Sequence, residues 1–257
     1  MAANRSTLRT MQILEFIANS EKPCTLACLS KVLPIPKTSI LDILKALNEA
    51  GYIRMADSEL VSYCLDLKAF QLGQKYLKNI DVFKICEPFL DQMANTLDKT
   101  ILLATLNGPQ VVYLAKREPS TRFVGVATAG ISQPAHCTGL GKAMLAALSD
   151  EEVLELLGPG PYQKKTEHTI TKYQDLVQEL QRIRERGYSI DDCENEVMIY
   201  CVALPVRNDQ GQPVLGISAT GVKGQYAKAT ALLASQIIGR VALDASHKLG
   251  FKGKNLY

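Results

Sequence analysis

TLACLSKVLPIPKTSILDILKALNEAG, residues 25–51, holds two amphipathic segments parted by prolines. Thr25 can cap a short helix in which Leu26, Leu29 and Val32/Leu33 recur at helical spacing. Pro34-Ile35-Pro36 stops it, because proline fixes φ and has no N–H to donate. From Lys37 to Ala50 a second helix is expected, with Ile40, Ile43, Leu44 and Leu47 facing inward. Lys37, Thr38, Leu41, Asp42, Lys45 and Asn48 face outward, and Gly51 is the natural C-cap. Two short helices across a three-residue proline turn form a minimal helix-turn-helix, whose second helix enters the major groove of duplex DNA while the first braces it. A small helical bundle with no nucleic-acid role satisfies the same periodicity, so both readings stay open on periodicity alone.

Upstream, Ser6 can cap a helix from Thr7 to Asn19, with Leu8, Met11, Leu14 and Ile17/Ala18 on one face, ended by Glu21-Lys22-Pro23. Downstream, Tyr52 to Asp66 alternates in strand fashion around Ala56-Asp57-Ser58-Glu59, the pattern of a hairpin wing. Leu67 to Leu97 is helical again, with an apolar stripe of Phe83, Ile85/Cys86, Phe89, Met93 and Leu97 that packs either on its own domain or on a second copy. Strands follow at 100–107, 110–117 and 122–129, then helices at 139–148, 150–157 and 171–186, the last capped by Gly187. Strands at 197–206 and 212–220 flank the turn Asn208-Asp209-Gln210-Gly211, and a helix over 228–249 closes the chain. The expected class is α+β: a winged helix-turn-helix domain (1–67), a linker helix (68–97), and a domain (98–257) with one antiparallel sheet and flanking helices.

The 257 residues suffice for two domains of unequal size, and 47% apolar with 21% charged residues is the balance of an ordinary globular protein. Residues 1–80 hold ten Lys/Arg against seven Asp/Glu, while the rest holds nineteen of each, so the whole net charge of +3 lies in the N-terminal third. A phosphate-binding domain requires that direction of bias. No run approaches the ~18 apolar residues of a membrane span, and MAANRSTLRT lacks the apolar core of a secretory signal, so a cytoplasmic location is expected. Seven cysteines at 24, 28, 64, 86, 137, 193 and 201 form no disulfide framework. Cys24 and Cys28 lack a second ligand pair at zinc spacing, and Cys28 is placed on a helix's apolar side, which favours buried structural thiols.

Particular stretches resemble the IclR family of regulators: Pro36-Lys37-Thr38-Ser39-Ile40, Leu44-Lys45-Ala46-Leu47 followed by Gly51-Tyr52-Ile53, and Leu72-Gly73. In the second domain they are Val112-Tyr113, the run Pro134 to Ala143, Gly187-Tyr188, Asp191 with Glu194, and Cys201 to Val206. The order and spacing, over nearly the whole chain, carry the resemblance. It implies a winged helix domain and a GAF/PAS-like effector-binding domain, homodimers that often pair into tetramers, and control of carbon-source catabolic genes. Two departures stand out. The family commonly has a histidine or other polar residue followed by arginine where this chain has Leu41 and Asp42. Its wing often carries arginines and a glycine, whereas residues 58–63 here have no basic residue and Arg54 stands alone, so fewer phosphate contacts are expected.

Lys37, Thr38 and Ser39 are assigned to the N-terminus of the recognition helix, where backbone N–H groups favour a phosphate. Arg5, Arg9, Lys45 and Arg54 are assigned to phosphate or minor-groove contacts. Leu41 suits a thymine methyl, and Asp42 either accepts from cytosine N4 or is a solvated charge beside Lys45. In the second domain, Thr138-Gly139-Leu140-Gly141 precedes a helix, so its N–H groups can converge on a carboxylate. The resemblance places effector contacts at Gly139, Leu140, Asp191, Cys201, Ser218 and Thr220, with Met144 and Leu215 as apolar walls. A purely structural role for each, such as a buried Cys201, remains open. The expected ligand is a small organic acid or sugar acid, and neither cofactor nor metal is expected. Three rivals are weighed: a thiol redox enzyme of the methionine sulfoxide reductase kind using Cys137, Cys193 and Cys201, a zinc held by His136, Cys137 and Asp191, and a winged helix that binds protein instead of DNA.

Overall fold

The computed structural model describes residues 4–57, 60–78, 81–120 and 128–257 and falls into two compact units, 1–79 and 80–257. In the first unit, α1 (Arg5–Ala18), α2 (Leu26–Val32) and α3 (Lys37–Glu49) pack with the strands β1 (Cys24–Thr25), β2 (Ile53–Asp57) and β3 (Ser62–Leu65), ordered β1-β3-β2 and antiparallel throughout. The prolines act as expected: α2 ends at Val32, and α3 begins immediately after Pro36. Ile40, Ile43, Leu44 and Leu47 are all buried, in one core with Ile13, Ile17, Leu29 and Ile53. Gly51 takes φ +78°, the left-handed region that ends α3 without Cβ strain. The turn residues 58–59 lie outside the described residues.

Three details correct the sequence reading. Asn4, not Ser6, caps α1, its side chain accepting from the N–H groups of Ser6 and Thr7. The buried stripe of α1 is Ile13 and Ile17, while Leu8 and Met11 are 51% and 50% exposed. Apolar residues at 8, 11, 13, 14, 16 and 17 surround most of the helix, so spacing alone did not fix its rotation. Cys28 is exposed on α2, so of the pair Cys24 and Cys28 Cys24 alone is a buried thiol.

Helical segments follow as α4 (Leu67–Lys78), α5 (Asp81–Cys86), a 3-10 turn over Glu87–Phe89, and α6 (Leu90–Leu97). Pro88 sits in that tight turn, which advances the helical phase, so Leu90 is buried and Phe89, expected in the apolar stripe, is 39% exposed.

The second unit is built on a six-stranded antiparallel sheet. Its strands are β4 (Thr100–Asn107), β5 (Gln110–Arg117), β6 (Ser132–Pro134), β7 (Ser189–Asp192), β8 (Ile199–Arg207) and β9 (Pro213–Val222), in the order β6-β5-β4-β9-β8-β7. The strand expected at 122–129 lies over 122–127 outside the described residues. β6 and β7 were not expected, being too short to carry a two-residue alternation. Helices α7 (Gly139–Leu145), α8 (Asp150–Leu157), α9 (Tyr173–Arg186) and α10 (Lys228–Lys248) flank the sheet. Alternate strand residues serve its two faces. Leu102, Ala104, Cys201 and Ala203 share a core with Leu140 and Met144 of α7. On the other face, a Cβ added at Gly239 of α10 would lie 3.5 Å from Leu204. α7 is held close by two glycines: a Cβ at Gly216 would come within 2.8 Å of Leu140, and one at Gly141 within 2.1 Å of the Ala135 carbonyl oxygen.

Candidate functional site

Sheet register assembles a polar row. Thr100 of β4 stands directly opposite Thr220 of β9, Thr220 opposite Cys201 of β8, and Cys201 opposite Asp191 of β7. Directly opposed residues project from the same face, so two hydroxyls, a thiol and a carboxyl line up across four strands. All four line a cleft of about 490 Å³, mouth included, together with Ser218 and, from the start of α7, Thr138, Gly139 and Leu140. Leu102, Tyr113 and Ile199 supply apolar wall. Gly139, Leu140, Asp191, Cys201, Ser218 and Thr220, separated by up to 81 positions in the chain, thus meet at one cavity. Met144 and Leu215 do not line it; both are wholly buried in the packing behind it.

Thr138 caps α7, its hydroxyl accepting from the Gly141 N–H at 3.1 Å. The helix geometry leaves the N–H groups of Gly139 and Leu140 without intrahelical acceptors, and both residues border the cavity.

Asp191 is 4% exposed, and its Oδ1 accepts from the N–H groups of Glu194 (2.8 Å) and Asn195 (3.4 Å). Burial, then the neighbouring Glu194 carboxyl, push its pKa up to about 7, against the opposing pull of Lys142 and those two N–H groups. Behind it Lys142, fully buried, forms an ion pair with Glu194. Thr166 and Thr169 hold the same loop from outside, each donating to the Glu194 carbonyl, at 3.2 Å and 2.6 Å. The sequence reading noted Lys142 and Glu194 only as parts of family-like stretches. Their partnership spans 52 positions and has no local signature.

Cys137 and Cys201 are poor nucleophiles. Burial raises the pKa of both Cys137 and Cys201 to about 12, so neither supplies a thiolate near neutrality. His136 does not serve Cys137: its Nε2 lies 3.0 Å from the Gln163 carbonyl, and its ring stacks on Tyr162. Among the described residues no three His, Cys, Asp or Glu side chains are grouped to hold a metal.

In the first unit, α3 begins without a side-chain cap and without an acidic residue in its first turn, leaving its leading N–H groups open to an anion. Lys37 and Thr38 are exposed there and Ser39 is half-buried. Asp42 and Lys45 are exposed, Leu41 is half-buried, and Arg54 projects from β2. Arg5 is exposed on α1, whereas Arg9 is half-buried. Lys68, absent from the sequence reading, donates to the Ala50 carbonyl at 2.8 Å and lies over the Tyr52 ring, placing a cation at the C-terminal end of α3.

Comparison with known proteins agrees with this division. Residues 74–247 match the family model described as bacterial transcriptional regulator IclR C-terminal, and residues 7–62 match a winged helix DNA-binding domain. The HTH-type transcriptional repressor AllR of Salmonella typhi is 28% identical over 244 residues, covering 95% of this chain and 89% of the relative. The crystal structure of the Thermotoga maritima IclR superposes with a TM-score of 0.79 at 26% identity, covering 96% of this chain and 100% of that one. An IclR homolog from Microbacterium hydrocarbonoxydans, solved in complex with 4-hydroxybenzoate, has the same fold, with a TM-score of 0.80 at 17% identity over 95% of this chain and 98% of its own. These are transcriptional regulators and not enzymes, which, with the protonated thiols, removes the redox-enzyme reading.

Proposed function

Since the chain belongs to the IclR family of bacterial transcriptional regulators, we propose that it grips an operator through α3 and the β2–β3 wing and alters that grip when a small organic acid or sugar acid enters the cavity at Gly139 and Asp191. Lys37, Thr38 and Ser39 seat the leading end of α3 on a phosphate, Leu41 and Asp42 face base edges, and Arg5, Arg9, Lys45 and Arg54 fix register on the backbone. Repression is the sense supported by the AllR repressors. The working unit is a homodimer, pairing into a dimer of dimers, on two half-sites spaced to suit its symmetry. The protein acts in the cytoplasm, where its DNA is. The domain plan is a DNA-binding head (1–67), a connecting helical stretch (68–97) and a sensor (98–257).

The observation that carries this reading is the convergence of Gly139, Leu140, Asp191, Cys201, Ser218 and Thr220 on one cavity, where a carboxyl, a thiol, two hydroxyls and two backbone N–H groups meet beside an apolar wall. The 4-hydroxybenzoate bound by a protein of the same fold supports a carboxylate as ligand. An effector changes operator affinity only as far as it binds two states of the protein unequally.

Fluorescence polarisation with the chain's own promoter region tests the DNA half. Affinity should fall steeply with added salt and drop on Lys37→Ala with Arg54→Ala. Binding indifferent to salt and to that double change overturns it. A thermal-shift screen of organic and sugar acids tests the sensor half.

A further inference from the structure

The row across the sheet contains one hydroxyl without a partner. Thr100 is 1% exposed, and its Oγ1 has no hydrogen-bond partner among the described residues. A buried hydroxyl left unpaired costs stability, so such groups are rare unless something else satisfies them. Ser189 Oγ is also unpaired, but Ser189 does not line the cavity. Thr100 does, and it stands opposite Thr220, whose own hydroxyl lies 3.5 Å from that of Ser218.

We infer that Thr100 is a ligand-contacting and specificity-determining residue of the sensor cavity, its hydroxyl donating to an oxygen of the bound acid. The inference rests on the effector-binding reading above and extends it to the far end of the row. Thr100, Thr220 and Ser218 form a wall of three hydroxyls. Asp191 and Cys201 lie at the row's other end, beside the open N–H groups of Gly139 and Leu140. An oxygen-rich molecule therefore meets donors along its length, and the orphan hydroxyl becomes satisfied when the ligand arrives. A ligand lacking an oxygen there leaves Thr100 unpaired, which is how a buried polar group discriminates between near-isosteres.

The test uses the full chain with Thr100→Val, which keeps the shape and removes the hydroxyl, and Thr100→Ser, which keeps the hydroxyl. Melting temperature without ligand is measured first. Titration calorimetry follows, with whichever of 4-hydroxybenzoate, lactate, malate and glucuronate stabilises the unsubstituted protein. Thr100→Val should melt at or above the unsubstituted protein and bind the acid about tenfold more weakly, in line with a lost hydrogen bond to a charged group. Thr100→Ser should retain binding. A lower ligand-free melting temperature for Thr100→Val would mean that the hydroxyl serves the fold, and unchanged affinity would mean that it misses the ligand; either overturns the inference. If none of the four acids stabilises the unsubstituted protein, the small-acid reading is what fails. The ligand-free melting comparison then still decides Thr100.

Discussion

A methyl group placed on Gly139 would lie 2.7 Å from the sulfur of Cys201, closer than carbon and sulfur can approach, so the first turn of α7 and the centre of β8 are fitted to each other at the cavity itself. Gly139→Ala should lower stability by about 1–3 kcal/mol, the usual cost of overpacking a rigid core. Cys201→Ala in the same chain leaves the β-carbons of Cys201 and Asp191, 3.4 Å and 3.6 Å away, and should restore most of the loss. Gly141→Ala meets the Ala135 backbone oxygen at 2.1 Å and should not be rescued by any side-chain trimming. Urea unfolding of the three variants checks this, and failure of Cys201→Ala to rescue Gly139→Ala would refute the fit.

The Lys142–Glu194 pair should behave as a unit. Lys142→Met removes the positive partner of a largely buried carboxyl and should cost about 3–5 kcal/mol. Adding Glu194→Gln removes the stranded charge and should recover much of that. The double-mutant cycle should therefore give a large coupling energy, and additive effects would mean that the pair is not formed.

Asp191 sets a pH dependence. Its folded pKa of about 7 lies above the ordinary carboxyl value, so between those two values the folded protein holds a proton that the unfolded chain has released. Stability from this group is therefore present at low pH and declines as pH rises towards 7. Asp191→Asn, which keeps an acceptor for the Glu194 and Asn195 N–H groups, should raise the ligand-free melting temperature at pH 8 and change it little at pH 4. The charged lining residues among those described are Asp191 and Glu196, both acidic, with Lys142 paired behind them. An anionic ligand should consequently bind more tightly as pH falls through 7, taking up a proton. Calorimetry in buffers of different ionisation enthalpy measures that uptake.

On DNA, Lys37→Ala, Lys45→Ala and Arg54→Ala should each weaken binding to all sequences alike and reduce the salt slope by about 1. Asp42 is exposed and makes no ion pair with Lys45 among the described residues. Asp42→Asn should tighten binding to unrelated duplexes by removing a repulsive charge.

Ser218→Ala with Asp191→Asn should abolish the ligand response while leaving operator affinity intact. Loss of both together would point to a collapsed fold instead of an emptied sensor.

Much of the architecture was legible because its causes are local. Pro34 and Pro36 delimit α2 and α3 by removing donors and fixing φ, and the spacing of Ile40, Ile43, Leu44 and Leu47 defines the buried face. β4 and β5 occupy 100–107 and 110–117 as expected, parted by Gly108-Pro109, and α8 likewise ran as expected from Asp150 to Leu157. Where local cues were weak or ambiguous, the sequence misled: α1 had apolar residues nearly all round, Phe89 was displaced by a 3-10 turn, and β6 and β7 were too short to alternate visibly.

For the cavity, the resemblance to the family pointed to six positions, but no local pattern pointed to Thr100 or to the pairing of Lys142 with Glu194. Residue chemistry and short-range periodicity by themselves determined where the helices and longer strands lie and which end of the chain carries the excess positive charge. Only the tertiary structure decided that Thr100, Thr220, Cys201 and Asp191 form one row, because strand register is set by pairing between segments up to 120 residues apart, and no window along the chain contains it.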